Sequence, residues 1–280
     1  MDERADAVAP RERARFEALL GAVHQLIQDA DAPAAVASDR RAWLTAHGVH
    51  ADDVEALCAL PPARLLLYRK LVRRTLRGAI RQEVPRTAAR LAARFDADVE
   101  RWLDTELPRS HYLRDVAFEL VAWARPRWAA DAAVPAWMGE LAQHELMELA
   151  VATTPAAAPI APPAPLALDR GLAFHQAARV IRYRHAVHQL SADLDARDEP
   201  PPRETALFAY RDAEGEVRWL ELSPLAARLV ERALEGETLQ AALAGACADT
   251  AETLRQPVLE GAAQLLADLA ERGALLGSAG

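Results

Sequence analysis

Residues 205–236 read TALFAYRDAEGEVRWLELSPLAARLVERALEG. Two runs of β-branched, aromatic and aliphatic residues, 205–211 and 217–222, flank Asp212-Ala213-Glu214-Gly215-Glu216. That arrangement predicts a β-hairpin. Ser223-Pro224 then offers an N-cap hydroxyl followed by proline at the first helical position. The helix so opened runs to Glu235 and is stopped by Gly236.

Working outward, Arg179-Val180-Ile181-Arg182-Tyr183-Arg184 is a further strand candidate. Downstream, 238–247 and 254–272 read as helices, the second ended by Gly273, and Ala274-Leu275-Leu276 as a short closing strand. Strands followed by three helices predict an α+β, winged-helix-like unit over 168–280. Before it, 151–167 reads VATTPAAAPIAPPAPLA. Its prolines fix φ and remove backbone donors, so the stretch is expected to be an extended linker. A shorter proline-rich stretch, 195–203, is expected to be a loop inside the second unit.

Residues 1–150 read as all helix. Phe16, Leu19, Leu20, Val23, Leu26 and Ile27 recur at helical spacing. Trp43 and Leu44 belong to a short helix before Gly48, and Asp52 caps another through Leu60. Pro61-Pro62 open a longer helix that Pro85 ends. Phe95, Val99, Trp102 and Leu103 mark one further apolar face, Val116, Leu120 and Trp123 another, and Pro135 opens a last helix. The expected fold is therefore mainly α: an all-helical domain (1–150), a Pro/Ala-rich linker (151–167) and the α+β domain (168–280).

Composition narrows the function. Of 280 residues, 51% are hydrophobic, and the net charge is -8. An acidic chain meets nucleic acid only through a local basic patch, so nucleic acid is a disfavoured partner. Alanine and arginine are heavily used and Lys70 is the sole lysine, which reads as coding bias. The two cysteines, Cys58 and Cys247, form no Cys-x-x-Cys, which argues against a disulfide framework or a cysteine zinc site. The N-terminus lacks an apolar signal core and no long uncharged apolar stretch occurs, so no membrane partner and a cytoplasmic location are expected.

One basic patch exists. Between Arg64 and Arg94 stand ten cations against one acid, Glu83. On a helix, Leu65, Tyr68, Val72, Leu76 and Ala79 share one face, and Lys70, Arg73, Arg74, Arg77 and Arg81 another. That face suits an acidic protein or phosphates, or else is paired with acids on neighbouring helices. Between two helices lies Pro108-Arg109-Ser110-His111-Tyr112-Leu113-Arg114-Asp115. It is either a contact loop, with Arg109, His111, Tyr112, Arg114 and Asp115 as candidates, or a polar junction.

No catalytic constellation is recognisable. Gly-x-Gly-x-x-Gly, the P-loop and Gly-x-Ser-x-Gly are all absent. His144 and Glu148 are one turn apart, but two ligands are too few for a metal site. The expectation is a protein without chemistry, metal or cofactor of its own. A DNA-reading winged helix needs basic and amide residues on its last helix. Here that helix carries Glu260, Asp268 and Glu271 against Arg255 and Arg272, and from residue 167 onward acids outnumber bases 18 to 12. The same shape can instead accept a peptide as an added strand. Arg218, Trp219, Glu221 and Arg255 are the candidate lining residues, with Trp219 as plain core the competing reading.

Several ordered segments resemble the HvfC-like family, whose N-terminal part is described as a DNA-binding domain. They are Tyr68-Arg69 with Arg73, Arg74 and Leu76; Pro85-Arg86-Thr87; Pro108-Arg109-Ser110 with Tyr112; and PAWMGELAQHE at 135–145. The second unit, through Leu222-Ser223-Pro224-Leu225, is similar to winged-helix peptide-recognition elements of ribosomal-peptide modification systems. The resemblance implies a partner protein that helps a multinuclear non-heme iron oxidative enzyme, a TIM barrel, engage a precursor peptide, often modified at cysteine. The competing expectation is a DNA-binding transcriptional regulator.

Overall fold

The computed structural model describes residues 3–106, 108–110, 112–155, 164–212, 214–248 and 255–279, with backbone only at 3–9 and 255. The chain divides into two compact units, 1–131 and 132–280.

The first unit is helical throughout: α1 (Glu3–Gln28), α2 (Ala32–Ala46), α3 (Ala51–Ala59), α4 (Pro62–Glu83), α5 (Pro85–Leu91), α6 (Ala93–Thr105) and α7 (Leu113–Ala130). Ala22, Leu26, Val36, Trp43, Leu44 and Val54 join α1, α2 and α3 in one apolar cluster, against which Leu65 and Leu66 of α4 pack. α2 is broken at Asp39 (φ -146°, ψ 86°). The Asp39 carboxylate accepts the Ala42 N–H at 2.9 Å, which recaps the helix just ahead of Trp43 and Leu44. Pro85 does not only end α4. It occupies the first turn of α5, where its missing N–H costs nothing.

α5 and α6 meet at Ala92, the one non-glycine residue with positive φ among the described residues (φ 50°, ψ -126°). That conformation sets Cβ against the backbone, and only glycine adopts it freely.

The second unit opens with α8 (Met138–Thr153) and continues β1 (Leu172–Phe174), β2 (Arg179–Tyr183), β3 (Thr205–Arg211), β4 (Val217–Leu222), α9 (Pro224–Leu234), α10 (Leu239–Ala246), α11 (Arg255–Glu271) and β5 (Leu275–Ser278). β2, β3 and β4 form an antiparallel sheet in that order, and β1 pairs with β5 in a second. The fold is thus mainly α with an α+β C-terminal part, as the sequence predicts. The hairpin bounds, the short closing strand and the Ser223 cap, which accepts the Ala226 N–H at 3.2 Å, also match that reading. The strand β1 had no counterpart there, because three residues are too few to show a period.

Strand alternation gives the sheet two faces. Ala206, Phe208, Tyr210 and Leu222 join α9, α10 and α11 in the core, with Phe208 and Tyr210 stacked at 5.5 Å. Leu207 and Ala209 of β3, Tyr183 of β2 and Trp219 of β4 lie on the other face, which α8 covers. The sequence reading placed α8 in the first domain, with a linker from 151. In the structure α8 runs to Thr153 and packs with the second unit, because its buried side chains meet the sheet. Of the expected linker, 156–163 lies outside the described residues. Its end is held: Ser278 donates its N–H to the Ala164 carbonyl at 2.9 Å, and its hydroxyl accepts the Ala167 N–H at 3.0 Å.

Replacing Ala92 with glycine is expected to raise stability by about 1 kcal/mol, the strain released less the added chain entropy. Urea unfolding measures it, and a loss of stability would contradict a strained turn.

Candidate functional site

The basic helix α4 sorts its cations into two kinds. Arg69, Arg73, Arg77 and Arg81 recur every fourth residue and so form one stripe. Asp96, Glu100 and Asp104 do the same on α6. The stripes interlock: Arg73 donates to Glu100 at 2.7 Å and to Asp104, Arg77 to Glu100, and Arg81 to Asp96 at 2.7 Å while lying over the Phe95 ring. Arg73 and Arg69 also close the C-terminus of α1. Arg69 donates to the carbonyls of Leu26, Ile27 and Asp29 at 2.7–2.8 Å, and Arg73 to those of Ile27 (2.9 Å) and Gln28 (3.1 Å). Those are the carbonyls a helix end leaves without partners, at the negative pole of its dipole. Burial, with Arg73 alongside, draws the Arg69 guanidinium below its ordinary pKa.

Five candidate contact residues on α4 therefore separate. Arg73 is only 6% exposed, and the expectation that it faces a partner is corrected: its guanidinium is spent on α1 and α6. Arg77 and Arg81 are half-buried and paired. Lys70 and Arg74 are exposed and make no ion pair among the described residues. Beside them Leu67, Tyr68 and Leu71 are 49%, 53% and 52% exposed. The sequence reading missed this apolar ridge, having grouped Tyr68 on one face with Leu65, Val72 and Leu76.

The 108–115 loop is a fastened junction with an exposed tip. The Glu119 carboxylate accepts the Arg109 and Ser110 N–H groups, both at 2.8 Å, and Ser110 donates its hydroxyl to Asp115 at 2.7 Å. Asp115 is thus engaged internally. Arg109, Tyr112 and Arg114 are exposed, with the Arg114 guanidinium 5.3 Å from the Tyr112 ring centre. His111 lies outside the described residues.

In the second unit the sheet binds α8 at three points. Near one end, Glu140 accepts the N–H groups of Arg184 (3.1 Å) and His185 (3.0 Å), with the His185 ring 3.2 Å away. In the middle, the His144 ring lies 4.5 Å from that of Trp219 and 5.7 Å from that of Tyr183. At the other end, Arg211 donates to the carbonyls of Ala152 (3.4 Å) and Thr154 (2.7 Å).

The expected peptide-lining residues are not brought onto one face. Trp219 packs against α8 and is half-buried. Glu221, on the same face, meets Arg203 and lies 3.2 Å from His188. The Arg203 hydrogen bond holds the Glu221 carboxyl below its ordinary pKa. Arg218 points to the opposite face and pairs at 2.6 Å with Asp212 of its own turn. The side chain of Arg255 lies outside the described residues. Among the described residues, β4 and β2 are the outer strands of the sheet and neither has a further strand paired to it.

Substituting Arg73 by methionine keeps its volume but leaves Glu100, Asp104 and the α1 carbonyls short of a donor. It should cost about 3–5 kcal/mol, whereas Arg74→Ala should change stability by less than about 0.5 kcal/mol. Denaturant melts of the two variants check this, and equal costs would refute the division of α4 into spent and available cations.

Among the described residues, no three side chains of His, Cys, Asp or Glu converge as metal ligands, and no helix is long and apolar enough to cross a membrane. No curated protein matches the chain. Residues 176–270, about a third of the sequence, match the family model described as the HvfC C-terminal domain. The segments on which the resemblance rested lie mostly before residue 150, so the match supports an HvfC-like family from a different part of the chain, the sheet of β2, β3 and β4 and the helices after it.

Proposed function

We propose that this protein is a non-catalytic partner of a multinuclear non-heme iron enzyme of the TIM-barrel type, and that its C-terminal unit holds that enzyme's precursor peptide. The observation that carries the reading is the sheet. Both of its faces are covered, by α8 on one side and by α9 with its neighbours on the other, while its outer strands pair with no further strand among the described residues. What such a sheet offers a guest is its edge, a row of backbone donors and acceptors.

The edge of β4 is the better of the two. Glu140 already takes the N–H groups just past β2, at Arg184 and His185. At β4, Arg218 and Glu221 are exposed, and the Arg203 that pairs with Glu221 is exposed too, a kind of surface pair that a peptide side chain can replace. Tethering a peptide in this way makes its reaction on the enzyme effectively intramolecular and raises its local concentration. The HvfC C-terminal match covers this sheet, and the helical first unit is left to meet the enzyme. A DNA-binding regulator is disfavoured, since most of the arginine stripe that would meet phosphates is consumed by α1 and α6.

Co-expression with the products of adjacent genes, followed by size exclusion and metal analysis, tests the proposal. We expect co-elution with an iron-containing enzyme, and hydrogen exchange slowed at 217–222 when the precursor peptide is added. A chain that elutes alone, or that shifts random duplex DNA in a salt-dependent manner, would overturn it.

A further inference from the structure

The arginines spent inside the first unit leave a second stripe on α4 without internal use. Arg64, Leu67, Leu71, Arg74 and Gly78 recur at three- and four-residue steps, with Lys70 beside them, so they share one side of the helix. All are exposed, and Leu67 and Leu71 are about half so despite being large and apolar. A shallow cleft adjoins this side, lined by Leu67, Lys70, Leu71 and Arg74 together with the internally paired Arg69, Arg73, Arg77 and Glu100.

Gly78 is a separate observation. It sits well inside α4, where glycine weakens a helix. A Cβ placed on it would meet nothing within 4 Å, and its φ is not positive. Neither backbone conformation nor packing within the chain calls for glycine there. Gly21 of α1 is equally open, and what Gly78 adds is its place on this exposed side, where the missing Cβ leaves room for another backbone to approach.

We infer that this stripe seats an acidic, amphipathic helix of the partner enzyme, with Leu67 and Leu71 as anchors, Arg64, Lys70 and Arg74 around them, and Gly78 where the two backbones come closest. The inference rests on the partner-protein reading and names the chemistry of its docking surface. Charge decides the occupant. A second copy of the chain related by two-fold symmetry would set Lys70 and Arg74 against themselves. A nucleic-acid backbone would use the three cations and leave the two leucines in water. An acidic helix with apolar residues at three- and four-residue spacing matches both.

The test uses the full chain and the iron enzyme encoded beside it, with affinity followed by surface plasmon resonance and stability by thermal melting. Lys70→Glu/Arg74→Glu should weaken binding at least tenfold without lowering the melting temperature. Gly78→Gln should melt no lower than the parent, since it removes a helix glycine, yet bind at least tenfold more weakly. Parent binding should fall as salt rises. If the parent binds and both variants bind as well as it does, the docking surface lies elsewhere and only this inference fails. If the parent does not bind the enzyme, the partner reading fails and takes this inference with it.

Discussion

The first unit is organised around the guanidinium of Arg73. A helix as long as α1 ends in carbonyls with no internal donors, at the negative end of its dipole. No residue near the end of α1 supplies a cation, for its last turn holds no basic side chain. Arg73 and Arg69 provide the donors from more than 40 residues away. Burying that charge would be costly alone, and Glu100 and Asp104 of α6 offset it. Three helices are thereby set in one register by a single buried group.

The same device recurs through the chain. Arg40 donates to the carbonyls of Cys58 (2.8 Å) and Leu60 at the end of α3. Arg211 does so for α8, and Arg228 for α10 through the Ala246 carbonyl at 3.2 Å. Arginine suits this task because its planar fork presents several donors at once and is always charged. The high arginine content, read from composition as coding bias, has a structural use: arginines distant in sequence supply donors to carbonyls at helix ends.

This economy bears on function. A cation bound to a helix end or to a buried carboxylate is not available to a ligand. Subtracting the spent arginines from α4 turns an apparently uniform basic helix into one with a narrow exposed side that mixes leucine with lysine and arginine. The covered faces of the C-terminal sheet likewise leave its edges as the surface on which a chain could add. In both units the candidate contact surface is what remains after internal demands are met.

Elements whose signals are local were legible in the sequence. The hairpin from Thr205 to Leu222, the Ser223-Pro224 helix start and the Gly236 stop each depend on residues within a few positions of one another. The HvfC-like resemblance could also be read there. Tertiary structure alone decided the rest. Helical period groups Arg73 with Lys70 and Arg74, yet burial of one and exposure of the others depend on where α1 and α6 lie. α8 has an apolar face that periodicity can find, but periodicity does not say which apolar surface will cover it. Only the fold brought His144 to Trp219 and Glu140 to the end of β2, because a side chain's partner is set by the path of the whole chain and not by its neighbours in sequence.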